Sequence, residues 1–368
     1  MNFDGANSNS LMGLIYSWYD YIRANNIKQS EQLKKQIDEQ IDCIEENQTL
    51  TIYYLLFHYR YYLIKKEFFE AKTLLHKLET YKEKMSSHQL FYFYFFKGLY
   101  CYHRNKFIEA LNDFKQANKN LHSITDPFQI AEFHYMIASV YYQMRQTNLS
   151  LTHAKQALEM YETDERHYQK RAHCSVLIAL NYADVRKLDQ ANFYYMNALE
   201  FSKLSGDRSL ETSIYYNLGL LYAEQNESEK ALSYLQFALK VEKGNPLYRL
   251  KTYFLMSREH FKLNQKIKAI DWLNKGLMLA QKLSNQEYQI KLRLLETLFL
   301  EKEESRREKI FLEGIAYFQS EQQWLDLEEY AILFARFYRR NKQFEKAVKY
   351  YEFSLQAKEK LMEKEVID

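Results

Sequence analysis

Apolar positions recur three and four residues apart along almost the whole chain, and no stretch shows the strict alternation of a half-buried strand. Near the start, Leu11, Leu14, Ile15, Trp18, Tyr19 and Ile22 share one face of a helix expected from Ser10 to about Ala24. Leu33, Ile37, Ile41 and Ile44 mark a second stripe, which predicts a helix from Ser30 to about Glu46. Glu45-Glu46-Asn47-Gln48 then forms a turn in which Asn47 caps the next helix, since an Asn side chain accepts from the unpaired amides of a first turn. That third helix, Thr49 to Ile64, is rich in Leu, Tyr and Phe, and a fourth, Glu67 to about Lys84, packs behind it. Short helices with one marked stripe apiece predict a bundle.

A longer period is superimposed further on. Tyr215, Leu218, Gly219 and Tyr222 are followed by Ala231, Leu235 and Ala238. The same offsets carry Tyr94, Gly98, Cys101, Ala110, Phe114 and Ala117; His134, Ala138, Tyr141, Ser150, Ala154 and Ala157; and Ala179, Tyr182, Ala191, Tyr195 and Ala198. A looser copy has Ser257, His260, Ala269, Leu273 and Gly276, and the last has Phe334, Ala335, Tyr338, Ala347, Tyr351 and Ser354. This is the tetratricopeptide pattern, in which a small residue lets two antiparallel helices cross closely while aromatics fill the flanking grooves. The small residue stands at 98, 138, 179, 219, 257 and 335. The last gap is twice the others and places a degenerate copy around Leu292 to Phe318. The steps exceed the usual unit of about 34 residues, so the helices or their connections are longer.

The expected fold class is therefore all-α. Residues 1–8 read as a disordered tail, 9–66 as a three-helix bundle and 67–90 as a linker-helix region. Residues 91–362 read as a right-handed tetratricopeptide superhelix of about six to seven repeats. Two prolines and eight glycines in 368 residues leave little to interrupt helices. Apolar runs are short and broken by charge, and the start lacks a basic, apolar leader, so a cytoplasmic protein is expected. Cys43, Cys101 and Cys174 are far apart and form no CxxC, which fits a reducing compartment. No HExxH, P-loop or dinucleotide fingerprint occurs, so no metal or nucleotide is assigned. Residues 1–47 hold eight acidic and four basic side chains; a module that neutralises phosphates should be basic, so no nucleic-acid partner is expected.

Trp18-Tyr19-x-x-Ile22, the run from Glu45-Glu46-Asn47-Gln48 through Ile52-Tyr53-Tyr54-x-Leu56 to Arg60, Tyr92–Gly98 and Ala131-Glu132-Phe133 resemble the Rap family of sporulating Gram-positive bacteria. The resemblance implies a three-helix bundle joined to tetratricopeptide repeats. It also implies a regulator that binds response regulators and is switched off by a re-imported Phr-type pentapeptide. Some members dephosphorylate a response regulator's aspartyl phosphate; others sequester its DNA-binding domain without chemistry. The family's catalytic glutamine falls on Gln48, with Glu45, Glu46 and Leu50 at the response-regulator interface. No cofactor is implied on this chain, because magnesium belongs to the partner's receiver domain. Departures occur beside the site: Thr49 stands where an acidic residue is common, His58 replaces another, and Arg60-Tyr61 replaces an Arg-His step. The other reading of Gln48, a solvated turn residue, stays open beside the catalytic one.

The first helix of each repeat lines the groove, where polar side chains can hold an extended peptide. Asn217 lies two residues before Gly219 and Asp184 five after Ala179. An Asp and an Asn at this spacing contact the peptide backbone in the family, and Asp184 and Asn217 match them; Asn181 is a third candidate. The alternative is that these side chains cap or bond neighbouring backbone.

Overall fold

The computed structural model describes residues 4–241 and 245–366, and every regular element among them is helical. The chain divides into two compact units, residues 1–160 and 161–368.

In the first unit, α1 (Asp4–Arg23), α2 (Ile27–Asp38) and α3 (Ile41–Glu45) precede α4 (Gln48–Lys65) and α5 (Phe68–Glu79). Then come α6 (Ser87–His103), α7 (Phe107–Lys119), α8 (Pro127–Gln143) and α9 (Thr147–Glu162). The expected tail is corrected. Positions 1–3 lie outside the described residues, and 4–8 are already helical. Once the Leu11–Ile22 stripe nucleates a helix, backward extension is cheap. The expected second helix is broken: Asp38 is held by the Tyr54 hydroxyl (2.7 Å) and the Lys34 ammonium (2.6 Å), and the chain turns at Glu39–Gln40.

Aromatic packing binds the bundle to the first repeats. Tyr19 stacks on Phe57 with centroids 4.2 Å apart and meets Tyr92 edge-on at 5.4 Å, joining α1, α4 and α6. The run Phe91–Phe96 is buried there, except for the half-exposed Tyr94, and is core rather than a ligand surface. Helices α4 and α5 pair as a repeat does, with Ala71 fully buried at the crossing.

The second unit comprises α10 (Tyr168–Asp184), α11 (Leu188–Ser205), α12 (Arg208–Glu224), α13 (Ser228–Val241) and α14 (Pro246–Lys262). It continues with α15 (Lys266–Lys282), α16 (Gln286–Leu300), α17 (Glu304–Ser320), α18 (Trp324–Arg340) and α19 (Phe344–Val366). Consecutive helices pair antiparallel, and successive first helices also pack directly on one another: α10 on α12, α12 on α14, α14 on α16. They therefore form the crowded inner layer. The predicted crossings are present; a methyl group on Gly219 would lie 2.7 Å from the Leu235 side chain. The degenerate repeat is α16–α17, and its small residue sits on the second helix instead of the first, with Gly314 against Leu294. Seven of the turns within helix pairs use one left-handed residue, Lys66, Asn105, Arg145, Arg186, Asn226, Asn264 or Lys342, with φ between 56° and 60°, whereas the α16–α17 connection uses none.

Candidate functional site

The turn between α3 and α4 is held from several sides. The Asn47 carboxamide oxygen accepts from the amides of Thr49 (3.0 Å) and Leu50 (3.2 Å), as the capping reading required. The Thr51 hydroxyl donates back to the carbonyl of Ile44 at 2.7 Å, and the Gln89 amide reaches the carbonyl of Thr49 at 3.5 Å. Gln48, the first residue of α4, stands exposed on this fixed turn, and its carboxamide takes no hydrogen bond within the described residues. Glu45 and Glu46 are exposed beside it. Leu50 differs from its expected part: it is 2 % exposed and packs in the bundle core, supporting the turn from behind without offering a side chain to a partner.

A neutral amide on a rigid support can orient a water molecule by accepting one of its protons, and it does not repel an incoming phosphoryl group. Cys101 and Cys174 are buried, and burial pushes both thiols up to about 12, so they stay protonated. No cluster of three or more His, Cys, Asp or Glu side chains suited to a metal exists among the described residues.

His58, the departure noted on α4, is enclosed by rings. It stacks on Tyr62 at 4.6 Å and meets Trp18 and Tyr54 at 5.8 and 5.4 Å. Its Nε2 makes no hydrogen bond, and burial, with Lys34 nearby, lowers the imidazole to about 4.

One arrangement escaped the sequence. Arg60 on α4 donates to Glu132 on α8 at 2.8 Å, with both side chains about nine-tenths buried. Arg23 at the end of α1 donates to Asp126 at 2.8 Å and lies 3.9 Å from Glu132. Asp126 in turn caps α8 through the amide of Phe128. Two guanidiniums from the bundle thus meet two carboxylates from the repeats. Arg60 and Glu132 both lie in stretches that carry the resemblance, but no local periodicity links positions so far apart.

In the second unit, Asp184 ends α10 and is exposed, while Asn217 on α12 is half-buried. These helices pack against each other, so the two candidates lie on adjoining elements. Asn181 does not join them. It is 1 % exposed, and its amide donates to the carbonyl of Leu177 at 2.8 Å, serving its own helix. No helix among the described residues is long and apolar enough to cross a membrane.

The family profile for the N-terminal region of response regulator aspartate phosphatase H matches residues 6–66, which contain the capped turn. Tetratricopeptide profiles match 131–164 and 212–245. The chain is 30 % identical over 362 residues to response regulator aspartate phosphatase I of Bacillus subtilis (strain 168), covering 95 % of this chain and 91 % of that one. It is 29 % identical to the regulatory protein RapF of the same organism, covering 94 % and 93 %. Among solved structures, the apo form of RapI superposes with a TM-score of 0.83 at 26 % identity over 96 % of this chain and 98 % of that one. A Rap protein complexed with competence and sporulation factor gives 0.77 at 26 % identity, over 97 % and 99 %. With the bundle, the capped turn and the repeats in place over nearly its whole length, this chain belongs to the Rap family.

Proposed function

We propose that this protein is a peptide-controlled regulator of a bacterial response regulator, and that Gln48 promotes hydrolysis of the partner's aspartyl phosphate. The observation that carries this reading is the exposed Gln48 carboxamide at the first position of a helix whose turn is pinned by Asn47 and Thr51. An aspartyl phosphate is already labile, and the partner's receiver domain supplies the magnesium. The helper has only to align a water opposite the breaking phosphorus–oxygen bond, which yields the free carboxylate and inorganic phosphate. A re-imported Phr-type pentapeptide, held by Asp184 and Asn217 in the second unit, opposes this activity. The names of the relatives and the peptide complex of a similar structure support both halves of the reading.

The exposed Glu45–Glu46 pair favours a second reading, in which the same turn captures a basic DNA-binding domain and blocks it without chemistry. Decay of phosphate from a panel of phosphorylated response regulators separates the two. Wild type should speed loss from one regulator, and Gln48→Ala should abolish the acceleration while still binding that regulator. A complex with no acceleration in either protein would establish the sequestering reading and return Gln48 to a plain turn residue.

A further inference from the structure

The inner layer of the second unit holds a cation that nothing above uses. Arg258 on α14 donates through Nε to Glu259 at 3.0 Å, and its Nη1 approaches Glu329 on α18 at 3.5 Å. Glu259 is wholly buried and is also met by the Ser228 hydroxyl (2.7 Å) and the Lys262 ammonium (2.9 Å). Arg258 is therefore anchored from behind by a carboxylate locked into the core. Its forward contact is different in kind: long, reaching past α16 to a helix two repeats on, and made to a Glu329 side chain that is 64 % exposed. Such a contact contributes little and is easily exchanged. Lys291 in the same layer is saturated by Glu287 and Asp326, each at 2.7 Å, so it offers no comparable opening.

The position of Arg258 ties it to the candidate peptide contacts. Counted from the crossing residue of each repeat at about 100° per residue, Arg258, Glu329, Asp184, Glu224 and Asn217 fall at about 100°, 120°, 140°, 140° and 160°. They occupy one narrow strip of the first helices. The electrostatics agree: Glu224, raised by burial, feels Arg186, Arg258, Glu329 and Asp184 together.

We propose that Arg258 anchors a carboxylate of the bound peptide, which displaces Glu329 from the guanidinium. The planar fork of an arginine suits a carboxylate in two-point contact, and the retained bond to Glu259 keeps it oriented. This inference rests on the peptide-receptor reading and gives it a ligand chemistry. The carboxylate comes either from the peptide's C-terminus or from an Asp or Glu side chain.

The test exposes the full-length protein to two pools of randomised synthetic pentapeptides, one with free C-termini and one amidated, and identifies retained members by mass spectrometry. Wild type should favour free acids, or amidated members rich in Asp and Glu if the side chain is the source. Arg258→Gln should retain those members about tenfold less well, as loss of a charge-assisted contact predicts. Glu329→Gln should retain them more strongly, because the internal competitor has lost its charge; a merely structural arginine would not produce that gain. Retention that Asn217→Ala abolishes, but that ignores amidation, Arg258→Gln and Glu329→Gln alike, overturns the carboxylate anchor and leaves the receptor reading intact. If wild type retains neither pool, the receptor reading itself falls and the anchor with it.

Discussion

At the scale of single residues, burial decides what each side chain can do, and residue type alone reveals burial poorly. The Asn47 cap was legible because capping is a local affair of three or four positions. Asn181 was not, yet its phase was available: it lies at about 200° from its crossing residue, beyond the strip that holds Asp184 and Asn217. His58 shows what such burial does to charge. Its imidazole is lowered to about 4, against an ordinary value of about 6.5, so the unfolded chain binds the proton first as pH falls. Stability present at neutral pH is therefore lost between about 6.5 and 4. His134, also lowered to about 4 by burial, acts in the same direction, whereas Asp113, raised to about 6 by burial, opposes it over part of that range. Urea unfolding at pH 7 and pH 5 should show wild type weaker at pH 5. In His58→Phe the drop should shrink by roughly 1 kcal/mol per pH unit crossed below 6.5. An unchanged pH dependence would mean that the ring enclosure does not hold the imidazole neutral.

At the scale of the helix pair, the repeat was legible because its geometry repeats in sequence. One small residue per crossing and one turn per pair recur at nearly fixed steps, and the left-handed turn residues fall in the same register. What escaped was every departure from that register. The α16–α17 pair swaps the small residue onto the opposite helix, so a search anchored on the first helix passes over it. The break between α2 and α3 depends on Asp38 meeting Tyr54, a contact that no stripe encodes. Glycine substitutions measure the difference between a crossing and a free helix face. At Gly13 an added methyl group meets nothing within 4 Å, and Gly13→Ala should stabilise by about 0.5–1 kcal/mol through helix propensity. At Gly98 the same methyl would lie 2.4 Å from the ring of the buried Phe114. Gly98→Ala should therefore destabilise by about 1–3 kcal/mol, because a ring wedged in a close-packed core cannot yield. Thermal unfolding of the two variants should move in opposite directions; a shared upward shift would show that the Gly98 crossing is loose.

At the scale of the whole molecule, a peptide bound in the second unit can govern Gln48 in the first only if the bundle has two arrangements whose balance the peptide alters. The first unit contains the element such a balance would act on. Arg23 and Arg60 from the bundle meet Asp126 and Glu132 from the repeats, inside an aromatic core shared by α1, α4, α6 and α8. A buried ion pair adds modest net stability while it is intact, but removal of one partner strands the other's charge. The pairs therefore make any separation of the bundle from these repeats costly at its first step more than they add strength to the intact arrangement. Glu132→Gln leaves Arg60 facing an uncharged acceptor and should weaken the docked arrangement by on the order of 3 kcal/mol. The backbone amides of α1 to α4 should then exchange hydrogen faster, while those of α10 to α19 keep their protection. If the undocked bundle is the form that engages the response regulator, the same variant should bind it more tightly and need more peptide to be silenced. Faster exchange together with weaker regulator binding would mean instead that the docked form is the active one, and that the pairs hold Gln48 in its working position.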